Sequence, residues 1–192
     1  MPIYCHNMNE PEPKEYITLV AGKKNRFYNK CLVQTEMLSF EGSNENYALY
    51  SEKTSSKPNV CPEPNEERIA NDVPSGTTRF DKVRLHLHQL EVIVDDFAFS
   101  KTNGLVNQTF GSAGDCYSST TGLCPQGRFS INFHGTRFRI KPHTTWETNG
   151  KHTSIFFINK LEHPYQKVSA TCGGFCGKCF PTKQSNIQLE IY

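Results

Sequence analysis

Polar and apolar side chains alternate strictly in Arg128-Phe129-Ser130-Ile131-Asn132-Phe133. A period of two is typical of a β-strand that buries one face. Tyr16 to Val20 and Arg79 to His88 alternate in the same way. After His134-Gly135 the alternation resumes in Arg137-Phe138-Arg139-Ile140, which predicts a tight hairpin.

Further strands are predicted along the remainder of the chain, at Glu91 to Phe99, Thr145 to Thr148, Ser154 to Asn159, Gln166 to Thr171 and Ile187 to Tyr192. A helical period is present only weakly, around Thr35 to Leu49. The 192 residues suit one domain,. The sequence therefore predicts an all-β fold, a single domain of many short antiparallel strands, sandwich- or barrel-like. Ser51 to Gly76 is rich in proline and polar residues, which predicts a long surface loop,.

The charge balance argues against two classes of partner. The chain has 21 basic and 19 acidic residues, a net charge of +2. Such a near-balance provides no strong field toward nucleic acid. No apolar run approaches the roughly 20 residues that span a bilayer. We therefore predict no nucleic-acid partner and no membrane span.

Cysteine is unusually frequent in this chain. The eight residues are Cys5, Cys31, Cys61, Cys116, Cys124, Cys172, Cys176 and Cys179. An even set can close into four disulfides, with the pairing left open, and the short spacing between Cys116 and Cys124 permits a local bridge. The spacing Cys172-x-x-x-Cys176-x-x-Cys179 also suits a metal, but a structural zinc site usually has a second Cys-x-x-Cys pair. Disulfides are the favoured interpretation, and a metal-binding intracellular protein is the alternative.

Catalytic signatures are missing from the sequence. None of the seven histidines belongs to a His-Glu-x-x-His motif, the pattern that places two zinc ligands and a general base on one helix,. His86 and His88 share a strand face near Asp95 and Asp96 and can ligate a metal, although an ordinary polar strand face explains them better. We predict no catalytic residue, no metal site and no cofactor in this chain.

Two features concern cellular route and completeness. Asn107-Gln108-Thr109 is an N-glycosylation acceptor between predicted strands, and with the cysteines it favours the secretory route,. The chain opens Met1-Pro2-Ile3-Tyr4-Cys5, which resembles the middle of a strand rather than a leader. We therefore expect a fragment of a longer protein.

Two cysteine motifs carry a resemblance to a known family. The first is Gly114-Asp115-Cys116 with Cys124-Pro125-Gln126-Gly127-Arg128-Phe129-Ser130-Ile131-Asn132 and the following Gly135-Thr136. The second is Cys172-Gly173-Gly174-Phe175-Cys176-Gly177-Lys178-Cys179. With Pro13 to Val20, which follows Cys5, they resemble the GON domain in the right order along nearly the whole chain. This domain is the C-terminal module of some ADAMTS proteins, secreted zinc metalloendopeptidases of the extracellular matrix.

The resemblance implies a domain over residues 1–192, truncated at its N-terminus, that is secreted through the endoplasmic reticulum. It implies a non-catalytic interaction module with an extracellular-matrix or secretory-pathway protein as partner, and zinc only in the full-length family. An alternative is that the chain is one end of a metalloendopeptidase whose zinc site lies upstream. Arg137, Arg139 and Trp146 are candidate contact residues, although hairpin packing and solvated strand faces explain them as well.

Overall fold

The computed structural model describes residues 3–10, 13–20, 45–55, 67–69, 73–117, 125–183 and 186–192. Every regular element in these ranges is a β-strand, so the predicted all-β fold is confirmed. The described part contains no helix long and apolar enough to cross a membrane.

Sixteen strands follow one another in the described residues. They are β1 (Ile3–His6), β2 (Lys14–Thr18), β3 (Tyr47–Ser55), β4 (Glu67–Ile69), β5 (Gly76–Phe80), β6 (Lys82–His86), β7 (Glu91–Ile93), β8 (Ser100–Gly104), β9 (Ala113–Cys116), β10 (Gly127–Asn132), β11 (Phe138–Ile140), β12 (Trp146–Asn149), β13 (Ser154–Asn159), β14 (Lys167–Gly173), β15 (Gly177–Pro181) and β16 (Leu189–Ile191).

The largest sheet has ten strands and is nearly closed into a barrel. Its order is β12-β15-β9-β3-β10-β14-β13, with β4 and β5 paired to β3 and β8 paired to β5. The pair β3 and β9 is parallel, and the other described pairs are antiparallel. A second sheet has the order β1-β2-β6-β7, and β11 pairs with β16 in a third.

The run from Arg79 to His88 is two strands rather than the single one predicted. Phe80 pairs with Ser100 in the ten-stranded sheet, whereas Lys82 pairs with Thr18 in the four-stranded sheet. Asp81 lies between them: its N–H donates to the Phe99 carbonyl at 2.9 Å, and its carbonyl accepts from the Leu19 N–H at 2.9 Å. The chain thus changes sheets at Asp81 without losing hydrogen bonds.

The hairpin predicted after Phe133 is wrong in its pairing. A turn does form, closed by the Thr136 N–H to the Phe133 carbonyl at 3.0 Å. However, β10 pairs with β3 and β14, while β11 pairs with β16. Both edges of β10 are therefore filled by distant segments, which leaves no edge for β11.

The predicted loop from Ser51 to Gly76 contains strand. β3 continues through Ser51 to Ser55, and β4 pairs with its last residues. This part of β3 is polar throughout, so its sequence lacks the alternation of polar and apolar side chains that predicts a strand. Hydrogen bonds to the neighbouring strands define it instead. Residues 56–66 lie outside the described ranges.

The core lies between the sheets and combines aromatic rings with aliphatic side chains. Phe129, Ile131 and Phe133 are fully buried, as their alternation predicts. Burial of each such side chain stabilises the fold by about 1.5–3 kcal/mol. The Phe80 and Phe110 rings contact edge to face at 5.1 Å between centroids, which extends the same core toward β5,.

Candidate functional site

A buried carboxylate lies where β9, β10 and β14 converge. Asp115 on β9 is 0% exposed. Its Oδ1 accepts hydrogen bonds from the N–H groups of Tyr117 at 3.0 Å and Gly174 at 2.7 Å. Its Oδ2 accepts from the N–H groups of Gln126 and Gly127, the latter at 3.2 Å. We call this carboxylate and its four donors the Asp115 site.

Burial and hydrogen bonding act on Asp115 in opposite directions. Burial raises the pKa of the carboxyl because it penalises the charged form, and this effect is the larger one,. The four backbone N–H groups act against it and lower the pKa. The net pKa lies above the usual value, yet the donors satisfy both oxygens, which is the condition for keeping such a group buried.

Two glycines make room for this arrangement. A Cβ on Gly173 would overlap the Asp115 carboxyl, and Gly173 has φ +143°, which favours glycine,. A Cβ on Gly127 would overlap the backbone of Gly114 and the Cys172 carbonyl oxygen. Backbone can therefore approach the carboxylate closely enough to donate hydrogen bonds.

Two disulfides fasten the same segments. Cys116, next to Asp115, is bonded to Cys176, and Cys172 is bonded to Cys179. The local bridge between Cys116 and Cys124 that the spacing permits is thus not formed. Cys116 is bonded instead to Cys176, which lies in the turn that follows β14.

The other predicted half-cystines have different outcomes. Cys5 has no disulfide partner among the described cysteines. Cys31, Cys61 and Cys124 lie outside the described residues. Participation of these four cysteines in bridges stays a prediction.

An open pocket of about 420 Å³ lies beside the Cys116–Cys176 bridge. We call it the bridge pocket; its lining residues are Tyr50, Val73, Pro74, Cys116, Asn149, Gly150, Cys176, Lys178 and Phe180. The Tyr50 hydroxyl lies 3.6 Å from the Cys116 Sγ, and the Lys178 Nζ lies 5.2 Å from the centre of the Tyr50 ring. Burial, and then the charge of Asp115, raise the pKa of Tyr50 to about 12, so its hydroxyl stays neutral at physiological pH.

The chemistry of the bridge pocket suits binding. Its described lining residues provide a hydroxyl, an amide, an ammonium and apolar surface, and they include no His, Asp or Glu to act as a general base,. Within the described ranges, no group of three or more His, Cys, Asp or Glu side chains is placed to hold a metal ion.

Comparison with known proteins identifies the chain. A family model described as the GON domain matches residues 1–37 and 32–191. The chain belongs to the GON domain family. The two cysteine motifs on which the resemblance rests lie together in the structure, around Asp115 and the two disulfides.

Three relatives cover nearly all of this GON domain. The chain is 34% identical over 191 residues to the Homo sapiens protein named "A disintegrin and metalloproteinase with thrombospondin motifs 20", and 32% identical over 194 residues to the Mus musculus protein of that name. It is 33% identical over 193 residues to "A disintegrin and metalloproteinase with thrombospondin motifs gon-1" of Caenorhabditis elegans. The alignments cover 98–100% of the chain but 8–9% of each relative. No solved structure matches the chain.

Two of the three candidate contact residues are occupied within the GON domain. The Arg139 guanidinium pairs with Glu190 at 2.8 Å and lies 5.8 Å from the centre of the Tyr192 ring. Trp146 stacks on Phe129 with ring centres 5.4 Å apart, and its Nε1 donates to the Gly111 carbonyl at 2.9 Å. Arg137 is exposed. The packing explanation therefore accounts for Arg139 and Trp146.

The remaining candidates lie apart from the Asp115 site. The His86 and His88 rings are exposed, with centres 6.3 Å apart. Asp96 is engaged elsewhere, since it accepts from the Tyr16 hydroxyl at 3.0 Å and lies 3.7 Å from Arg84. Asn107 is exposed, as a glycosylation acceptor must be.

Sequence reasoning missed the roles of Asp115, Tyr50 and Lys178. Asp115 belongs to a recognised motif, but its donors come from residues up to 59 positions away. The one local signal is a charged residue held between glycine and a half-cystine. Nothing near Tyr50 in the sequence indicates that it lines a pocket with Lys178.

Proposed function

We propose that this GON domain is a non-catalytic interaction module of an ADAMTS-like extracellular zinc metalloendopeptidase. The observation that carries the proposal is the Asp115 site with its two disulfides, which fastens three strands without arranging any reactive group. Strands that are held together by disulfides and by a hydrogen-bonded buried carboxylate suit recognition, because they lose little conformational entropy when the domain binds a partner. The partner we propose is an extracellular-matrix or secretory-pathway protein, as the resemblance to the ADAMTS family implies.

A bound zinc ion does not fit the cysteine cluster at residues 172–179. Cys172, Cys176 and Cys179, the cluster with metal-like spacing, are all bonded in disulfides, and a metal ligand must be a free thiolate,. This argues against the alternative of a metal-binding intracellular protein. The zinc site of the proposed protease would lie in another part of that protein.

The proposal is tested on the 192-residue chain secreted from eukaryotic cells behind an added leader. We expect it to be retained in the matrix that the cells deposit, and to leave a matrix proteoglycan uncut with or without added zinc. Zinc-dependent cleavage by the purified chain would contradict the non-catalytic assignment. Three or four thiols that react only after chelation would support the metal-binding alternative.

A further inference from the structure

Three cations lie on one outward face of the ten-stranded sheet. Arg79 on β5 is directly opposite Lys101 on β8, and on its other side it is opposite Tyr47 on β3. Tyr47 is in turn opposite Ser130 on β10, two residues from Arg128 on the same face. We call Arg79, Lys101 and Arg128 the basic face.

The placement of these cations side by side does not stabilise the fold. Like charges directly opposite on neighbouring strands repel each other. Three other cations on described strands have carboxylate partners: Arg84 with Asp96, Arg139 with Glu190, and Lys167 with Glu45. No carboxylate pairs with Arg79, Lys101 or Arg128 within the described part of the chain. The strand positions directly beside these cations carry neutral residues, namely Tyr47, Leu49, Thr77, Asn103, Ser130 and Thr171. The ion pair between Lys167 and Glu45 lies further along the same face, next to Asn132.

The basic face has a concave portion with suitable hydrogen-bond donors. Arg79, Lys101, Thr102 and Asn103 line a recess of about 350 Å³. A guanidinium binds a tetrahedral oxyanion through two parallel hydrogen bonds, and an ammonium adds a point charge. Lys101 and Asn103 are exposed and Arg79 is half-buried, so the recess is open to an incoming anion.

The spacing of the cations fits a chain of anions better than a single anion. From strand spacing and rise, the Cα atoms of Arg79 and Arg128 lie about 12 Å apart, and those of Lys101 and Arg128 about 16 Å apart. One sulfate or phosphate contacts Arg79 and Lys101 but does not reach Arg128. A linear polymer with repeated anionic groups reaches all three.

The neutral side chains of the basic face indicate which class of polyanion it binds. Single-stranded nucleic acid needs aromatic platforms for its bases, and Tyr47 is the one aromatic residue among these positions. A membrane surface calls for several exposed apolar side chains beside the cations, whereas Leu49 is half-buried and the exposed Phe156 lies two strands away from Arg128,. Sulfate esters on a sugar polymer need only charge and hydrogen-bond donors. We propose that the basic face binds a linear sulfated polysaccharide, a ligand class that rests on the proposed extracellular function.

The test uses heparin as the probe and the purified, non-reduced 192-residue chain. The variant Arg79→Gln/Lys101→Gln/Arg128→Gln is compared with Lys151→Gln/Lys160→Gln/Lys183→Gln, which removes the same charge from exposed positions elsewhere. We expect the first variant to weaken heparin binding at least tenfold and the control to change it less than threefold. The slope of log Kd against log salt concentration should fall with the loss of the three cations. Equal losses in the two variants would overturn the proposal, since binding would then follow net charge alone.

Two further arms separate the ligand classes. Binding should be lost with desulfated heparin and should be weaker for oligo-dT and for phosphatidylserine vesicles; tighter binding to either of these would overturn the assignment. The single variant Arg128→Gln, at an exposed position, guards against misfolding of the triple variant and should weaken binding at least twofold. Failure here leaves the matrix-retention and proteolysis results of the proposed function untouched, because heparin binding is measured on purified protein.

Discussion

The Asp115 carboxylate accepts a 2.7 Å hydrogen bond from the backbone N–H of Gly174, 59 residues further along the chain. Cys116 and Cys176, each close in sequence to one of these residues, are joined by a disulfide. A charge-assisted hydrogen bond and a covalent bond thus hold the same two segments together. The buried carboxylate is a structural element of this GON domain, and its removal is expected to be felt in stability.

Asp115→Asn tests that role. An asparagine amide keeps one acceptor oxygen but turns an NH₂ group toward backbone donors, which leaves buried N–H groups without partners. We expect a loss of about 2–3 kcal/mol in the free energy of unfolding. Urea unfolding without reductant measures it, with the exposed Glu147→Gln as a charge-matched control. A change as small as that of the control would contradict the structural role of Asp115.

Gly173→Ala should destabilise the domain severely. Its methyl group would overlap the Asp115 carboxyl, and its φ of +143° is one that alanine rarely adopts,. We expect reduced secretion and a lower thermal midpoint. In the Asp115→Ala background the added cost of Gly173→Ala should be smaller, because the overlapping carboxyl is gone. Strict additivity of the two substitutions would argue against the contact.

The pairing of Cys116 with Cys176 is open to direct chemical proof. A non-reduced digest analysed by mass spectrometry should contain a peptide pair that links these two residues. The double substitution Cys116→Ser/Cys176→Ser should cost about 2–5 kcal/mol, since the bridge closes a long loop. A linked peptide that joins Cys116 to Cys124 would contradict the structure.

Tyr16 should make stability depend on alkaline pH. Burial, and then its hydrogen bond to Asp96, raise the pKa of Tyr16 from 10.0 to about 12. Because the folded value lies above the unfolded one, its contribution to stability is fully present below pH 10 and is lost as pH rises through about 12,. Titration of phenolate absorbance should show Tyr16 and Tyr50 ionising late. Tyr16→Phe should remove one of them; an unchanged number of late-titrating tyrosines would contradict the assignment.

Glycosylation at Asn107 follows from its exposure and from the proposed secretory route. The chain secreted from eukaryotic cells should lose mass on treatment with an N-glycosidase, and Asn107→Gln should abolish that loss,. Asn103→Gln, at an exposed asparagine outside any acceptor motif, serves as the control. A secreted chain whose mass is unchanged by the glycosidase would refute the prediction.

The alternation of side chains predicted strands well where one face of the strand is buried. Phe129, Ile131 and Phe133 point into the core as their spacing predicts. The intervening Ser130 and Asn132 are also buried rather than solvated. Ser130 Oγ donates to the Glu45 carbonyl at 2.7 Å, and the Asn132 N–H donates to Asn46 Oδ1 at 2.7 Å. Alternation shows which face is apolar, but it does not show that Glu45 and Asn46, just before the neighbouring strand β3, bury Ser130 and Asn132.

The sequence by itself determined the all-β class and the family, because strand periodicity and half-cystine motifs are local and survive in a linear pattern. The tertiary structure decided that the chain changes sheets at Asp81, that Cys116 meets Cys176, and that Arg79 lies beside Lys101. These relationships depend on the register between strands that are distant along the chain. Register is set by packing of the whole core, and a one-residue shift would turn Arg79 inward and Phe80 outward.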